Sequence, residues 1–178
     1  GYASYYPMIA LVVFFYFFCR YAEFERASFV SLAAFFIDYV VFIFVPVAGP
    51  TFYYKAVGLS NITQGVFPAL GDYFNTHTDC LPTPGYTNGF FYELVEDAKA
   101  AGERPTAAFP SSHVGIATVC MLLAAHTRQR KLVWLMLPFY VFLCMSTVYI
   151  QAHYAIDALA GFVSALAIYL ILMAATKY

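Results

Sequence analysis

The sequence predicts an all-α, polytopic membrane bundle, and three observations carry that reading. Of 178 residues, 62% are hydrophobic and 11% charged, against about 25% charged in a typical soluble domain. Several apolar stretches approach about 20 residues, the length that crosses a hydrocarbon core of about 30 Å. The period-two alternation of a membrane barrel strand is absent. Nine basic and ten acidic side chains cannot cover the surface of a water-soluble globule of this size. The composition therefore excludes a soluble enzyme, a disordered tail and a basic-patch binder of nucleic acid. The length suits one membrane-embedded domain, residues 1–178.

Five spans follow in order. Residues 1–19 carry no charged side chain, and 2–19 reads as the first helix. Arg20, Glu23, Glu25 and Arg26 make a short polar connection to the second, 28–48, whose only charge is Asp38. From 49 to 105 the chain collects Pro, Gly, Asn, Asp and Thr, which predicts a long loop outside the lipid core. Its apolar patches, such as Phe90-Phe91-Tyr92, predict short helices lying at the interface. Spans three to five are 107–125, 132–151 and 156–176.

Lys and Arg in short loops set the orientation. Arg128, Arg130 and Lys131 make the connection between spans three and four cytoplasmic, and alternation places Arg20, Arg26 and Lys177 on the same side. The long loop, with Lys55, Lys99 and Arg104, then lies on the periplasmic, extracellular or lumenal side. The first residue falls outside as well, which leads us to expect at least one further helix upstream of Gly1. Cys19, Cys120 and Cys144 sit in apolar stretches and Cys80 alone in the loop, a pattern of neither disulfides nor metal ligands. His77, Asp79 and Cys80 match no zinc spacing. Asn61-Ile62-Thr63 fits a glycosylation sequon, a pattern short enough to arise by chance.

The chemistry concentrates at the outer ends of spans three to five. His113 lies at the outer mouth of span three, and His153 follows the outer end of span four, with Asp157 four residues later. On a helix, positions i and i+4 share a face, so Asp157 is expected to hold one nitrogen of His153 and leave the other free as base or nucleophile. His113 would supply a general acid. Ser111, Ser112 and their backbone N–H groups stand near a helix start, where the dipole favours an anion. Singly, each histidine reads as an interfacial anchor and Pro110-Ser111-Ser112 as a helix cap. Together, ionisable groups this close to a bilayer point to function. Asp38 reads equally as a functional carboxylate or as one partner of a buried hydrogen bond between helices.

These residues resemble the signatures of the type 2 phosphatidic acid phosphatase superfamily. Its Pro-Ser-Gly-His signature is similar to Pro110-Ser111-Ser112-His113, and its Ser-Arg-x5-His-x3-Asp signature to Ser146-Thr147-x5-His153-x3-Asp157. Lys-x6-Arg-Pro is approximated by Lys99-x4-Arg104-Pro105, and Pro46-Val47-Ala48-Gly49-Pro50 resembles the branch containing inositol phosphorylceramide synthases. The resemblance implies that His153 attacks phosphorus to form a phosphohistidine, that Asp157 orients it, and that His113 protonates the leaving group. It implies that Lys99, Arg104, Ser111 and Ser112 hold the phosphoryl oxygens, with no metal and no cofactor. Three departures stand out: Thr147 in place of the signature arginine, Ser112 in place of glycine, and a Lys99-to-Arg104 gap two residues short.

The expected function is hydrolysis of a lipid phosphate or diphosphate at the outer membrane face, with the bilayer itself as partner. Transfer of the phosphoryl or head group to an alcohol is the close alternative, which phosphate release with and without candidate alcohols would separate. A non-catalytic lipid-binding scaffold is the alternative from another class. The joint presence of His113, His153 and Asp157 argues against it.

Overall fold

The computed structural model describes residues 1–85, 87–102 and 104–176. Lys177, assigned above to the cytoplasmic side, lies outside them. After a short 3₁₀ turn at Tyr2–Ser4, the helices are α1 (Tyr5–Cys19), α2 (Tyr21–Phe44), α3 (Pro50–Val57), α4 (Leu59–Thr63), α5 (Phe90–Gly102), α6 (Ser112–His126), α7 (Arg130–Tyr149) and α8 (Ala155–Ala175). A second 3₁₀ turn, Gly71–Asn75, lies between α4 and α5. Among the described residues the only extended pairing is a single bridge between Val47 and Ala107.

The second span ends at Phe44 rather than at 48, and two further boundaries differ more from the sequence reading. The polar connection before the second span is itself helical: only Arg20 leaves helical geometry, and α2 begins at Tyr21. Ala, Glu and Arg are good helix formers, and Glu23 in the first turn suits the positive helix end. The third span shortens in the opposite sense. Residues 107–111 are not helical, because Ala108 N–H bonds to the Val47 carbonyl and Val47 N–H to Thr106. That leaves α6 with 15 residues, about 22 Å at about 1.5 Å per residue.

Among the described residues four helices are long and apolar enough to cross a membrane: Tyr2–Cys19, Tyr21–Phe44, Arg130–Tyr149 and Ala155–Ala175. Instead of a fifth span of full length, α6 forms the centre of the bundle and touches α1, α2, α7 and α8. Every residue from Val114 to Cys120 is buried, so the helix has no solvent or lipid stripe. The other four turn large apolar side chains outward, among them Phe18, Phe44, Trp134 and Leu170.

The ends of the bundle are tied differently. At the end away from His113, Arg20 bonds to Glu23 at 2.9 Å and to the Thr127 carbonyl at 2.8 Å. Arg26 caps the last turn of α8 through the Met173 carbonyl at 2.6 Å. Near His113, α6 and α8 approach through glycine: a methyl group on Gly161 would run into the Ser111 backbone. Close backbone approach at small residues is how helices pack where no hydrophobic effect drives them together. Gly161→Ala is therefore expected to cost about 1–3 kcal/mol, as overpacking does. A fall in the thermal midpoint of the detergent-solubilised protein would register it, and an unchanged midpoint would show that α8 can shift at no cost.

Candidate active site

Three chain segments meet at the His113 end of the bundle: 45–51, 104–113 and 150–157. Gly49 N–H bonds to the Pro105 carbonyl at 2.9 Å and Thr51 N–H to Gln151 at 3.2 Å. Ser111 N–H bonds to the Asp157 carbonyl at 2.9 Å. Gln151 adopts a positive φ of 61°, a conformation uncommon outside glycine, which turns the chain sharply between α7 and α8.

That turn presents His153. Its N–H bonds to the Thr147 carbonyl at 3.1 Å, and its ring Nδ1 lies 2.8 Å from the Ala108 carbonyl oxygen. A carbonyl only accepts, so Nδ1 carries the hydrogen and Nε2 keeps its lone pair in the neutral ring. Burial pushes the imidazole down to about 4 despite the opposing pull of the Ala108 carbonyl. His153 is thus neutral at pH 7, with the lone pair on Nε2.

The expected bond from Asp157 to His153 is not made. The chain leaves helical geometry at Tyr154, the N-cap of α8, with ψ near 157°, so positions 153 and 157 do not share a helix face. Instead the Asp157 carboxylate accepts the Tyr154 backbone N–H at 2.8 Å. It braces the turn carrying His153, and the Ala108 carbonyl orients the ring.

His113 stands one residue into α6, its ring centroid 5.7 Å from that of His153. Tyr2 stacks on it at 4.7 Å, and Tyr5 lies against it at the same centroid distance. Its Nδ1 is buried without a hydrogen-bond partner among the described residues. Both histidines line a cavity of about 170 Å³, together with Ser112, Arg104 and a wall of Tyr2, Tyr5, Tyr6, Phe35, Tyr39, Phe42 and Phe52.

The four residues expected to bind phosphate separate into two groups. Arg104 and Ser112 line the cavity. Ser111 is fully buried as the N-cap of α6, its Oγ accepting Val114 N–H at 3.4 Å. Its hydroxyl does the capping that its position in isolation suggested, while Ser112 and His113, the first two residues of α6, line the cavity. Lys99 is buried away from the cavity, its amine 3.0 Å from Thr83 Oγ1 and 3.6 Å from Glu96. Thr83 in turn donates a short hydrogen bond to Glu96. The carboxylate neutralises Lys99 where it sits.

A family model described as the PAP2 superfamily matches residues 1–171. The chain belongs to the PAP2 superfamily. Neither a curated protein nor a solved structure matches it. Membership brings phosphatase-type chemistry on lipid phosphates, and four long apolar helices are consistent with an integral membrane protein. Within the PAP2 pattern, Thr147, standing at the signature arginine, is fully buried, its hydroxyl turned to the Cys144 carbonyl at 2.9 Å. It contributes its carbonyl to His153 and nothing to the cavity wall. Among the described residues no three His, Cys, Asp or Glu side chains gather as a metal site would require.

Sequence reasoning missed the Ala108 carbonyl, which no residue type announces, and the two tyrosines around His113. The i, i+3 spacing of Tyr2 and Tyr5 was the available signal for the latter.

Proposed function

We propose that this PAP2 protein hydrolyses a lipid phosphate or diphosphate through a phosphohistidine on His153, with the cavity on the outer face of the membrane. The observation that supports it best is the histidine pair: one imidazole held neutral with Nε2 free, the other across the same cavity. His153 Nε2 forms a bond to phosphorus as the bond to the leaving oxygen breaks, and His113 gives that oxygen its proton. Water then attacks the phosphohistidine, His113 takes the proton back, and phosphate leaves with Nε2 restored. Arg104, Ser112 and the first N–H groups of α6 hold the phosphoryl oxygens, where charge develops in transfer.

The lipid character of the substrate rests on the cavity wall. Tyr6 and Tyr39 both line the cavity and are 62% and 49% exposed on the apolar flank of the bundle. An acyl or prenyl chain leaving between them stays in hydrocarbon while its phosphate reaches His153.

Protein quenched during turnover of a radiolabelled lipid phosphate tests the covalent step. The adduct is expected to survive base and to be lost in acid, as a phosphoramidate is, and turnover is expected to continue in EDTA. An acid-stable, base-labile adduct would place the phosphoryl group on another residue. Loss of activity in EDTA, restored by Mg²⁺ or Zn²⁺, would favour metal-assisted hydrolysis.

A further inference from the structure

The loop over 49–105 buries a charge that the proposed chemistry does not use. Lys99, on α5, is 6% exposed. A Lys–Glu pair three residues apart on a helix is ordinarily a solvated surface pair worth little. Here the ammonium is withdrawn from water, and a buried charge persists only where it is paired and hydrogen-bonded. Glu96 supplies the opposite charge at 3.6 Å. Thr83 Oγ1 accepts a hydrogen bond from the ammonium at 3.0 Å and donates its own to Glu96. The three side chains close a clasp between α5 and the loop before it. Thr83 is itself tied towards the site: Leu81 N–H bonds to the Thr51 carbonyl at 3.1 Å, and Thr51 N–H to the Gln151 carbonyl at 3.2 Å, two residues before His153.

Beyond the clasp, α5 has little to hold it. Among the described residues it packs on one other helical element, the Tyr2–Ser4 turn. Val95 and Ala98 meet a small buried cluster there, formed by Tyr2, Ile150 and Ala152. Tyr2 stacks on the His113 ring, Ala152 directly precedes His153, and Ala98 itself lines the cavity. Positions 95, 98 and 99 are neighbours on a helix surface, so the turn that buries Lys99 also seats Val95 and Ala98 on the site.

We infer that Lys99 is a positioning residue: clasped to Thr83 and Glu96, it fixes where α5 lies, and α5 in turn closes the cavity with Ala98 and keeps Tyr2 on the His113 ring. This role rests on the proposed assignment of His113 and His153 as the reacting pair. It differs from the phosphate contact that the signature implied, because the ammonium acts through α5 and meets no phosphoryl oxygen. Two small apolar side chains leave a helix free to slide, whereas a buried ammonium drawn off its partners is strongly unfavourable. The clasp therefore gives α5 one place. A misplacement of about 1 Å at reacting groups costs about 10²-fold in rate.

The test compares kcat/KM for phosphatidic acid and 4-nitrophenyl phosphate in detergent micelles, well below the thermal midpoint of each variant. The variants are Lys99→Met, Glu96→Leu, the two combined, and Thr83→Val. Lys99→Met should lower kcat/KM for phosphatidic acid by about 10–10²-fold. The loss on 4-nitrophenyl phosphate should be smaller, because nitrophenolate leaves without the proton that His113 gives. Glu96→Leu should show the same uneven loss, and the double variant should be no worse than either single one, since the pair acts as a unit. Thr83→Val keeps the shape of the side chain and removes one arm of the clasp. A lesser loss of the same uneven kind in that variant decides the matter should the charge variants fail to fold. An equal loss on both substrates for Lys99→Met, with Glu96→Leu and Thr83→Val at wild-type rates, would make Lys99 a phosphate ligand and overturn the inference. Wild-type rates in Lys99→Met, or even losses on both substrates throughout, would overturn it as well. A wild type that releases no phosphate from either substrate overturns the reading of the site itself, and this inference with it.

Discussion

His153→Ala should abolish phosphate release. On the proposed mechanism its imidazole supplies the bond-forming lone pair, while His113 across the cavity is assigned the proton. Losses on the scale of about 10⁴-fold or more accompany removal of a covalent nucleophile. Single-turnover assays on folded, detergent-solubilised protein provide the measurement, and wild-type rates in the mutant would dismiss His153 from the reaction. The same ring predicts a pH dependence of stability. Its folded-state value of about 4 lies below the ordinary histidine range, so between about 4 and 6.5 the unfolded chain binds a proton that the native protein refuses. Stability contributed by the neutral ring is therefore full above that window and is lost as pH falls through it. The His153→Ala protein should show a shallower loss of thermal midpoint between pH 7 and 4 than the wild type.

Arg104→Ala should lower kcat/KM by about 10²–10³-fold, the usual consequence of losing one preorganised donor to a transferring group. The family's signature arginine is replaced by the buried Thr147, and Lys99 is committed to Glu96 and Thr83. Lys55, in the last turn of α3, is not among the cavity's lining residues. Arg104 is the cation the described cavity wall retains. Its planar fork can meet two phosphoryl oxygens at once, so Arg104→Lys should restore only part of the rate. A fall of less than about threefold, roughly 0.6 kcal/mol, would remove Arg104 from the phosphate site.

The sequence showed the helical class, the long loop over 49–105 with its short helices, and the two histidines now seen across one cavity. These were legible because apolar run length and residue type are local properties of the chain. The start of α6 was legible only in part. Pro110-Ser111-Ser112 reads as a cap, yet the apolar Ala107, Ala108 and Phe109 read as part of the span. It is pairing with Val47, some sixty residues distant in the chain, that holds this stretch out of the helix. The role of Asp157 was misjudged for a related reason. The spacing of four is meaningful inside a helix, and here the α8 cap falls between the two residues. Lys99 matched a signature by type, but Glu96 engages it from one turn earlier on α5, and Thr83 reaches it only through the path of the loop between α4 and α5.

The hydrogen bond from His153 to Ala108 also bears on how mutations at this site would be read. The acceptor is a peptide oxygen, which every amino acid supplies, so an alanine scan passes over it without a signal. Residue 108 can vary in identity while its contribution persists, provided the chain still follows the path set by Val47 on one side and Pro110 on the other. Genetic screens would therefore report the support of His153 only indirectly, as intolerance of changes at those neighbouring positions. Replacing the Ala108–Phe109 amide with an ester, which weakens the carbonyl as an acceptor and leaves every side chain in place, would expose it directly.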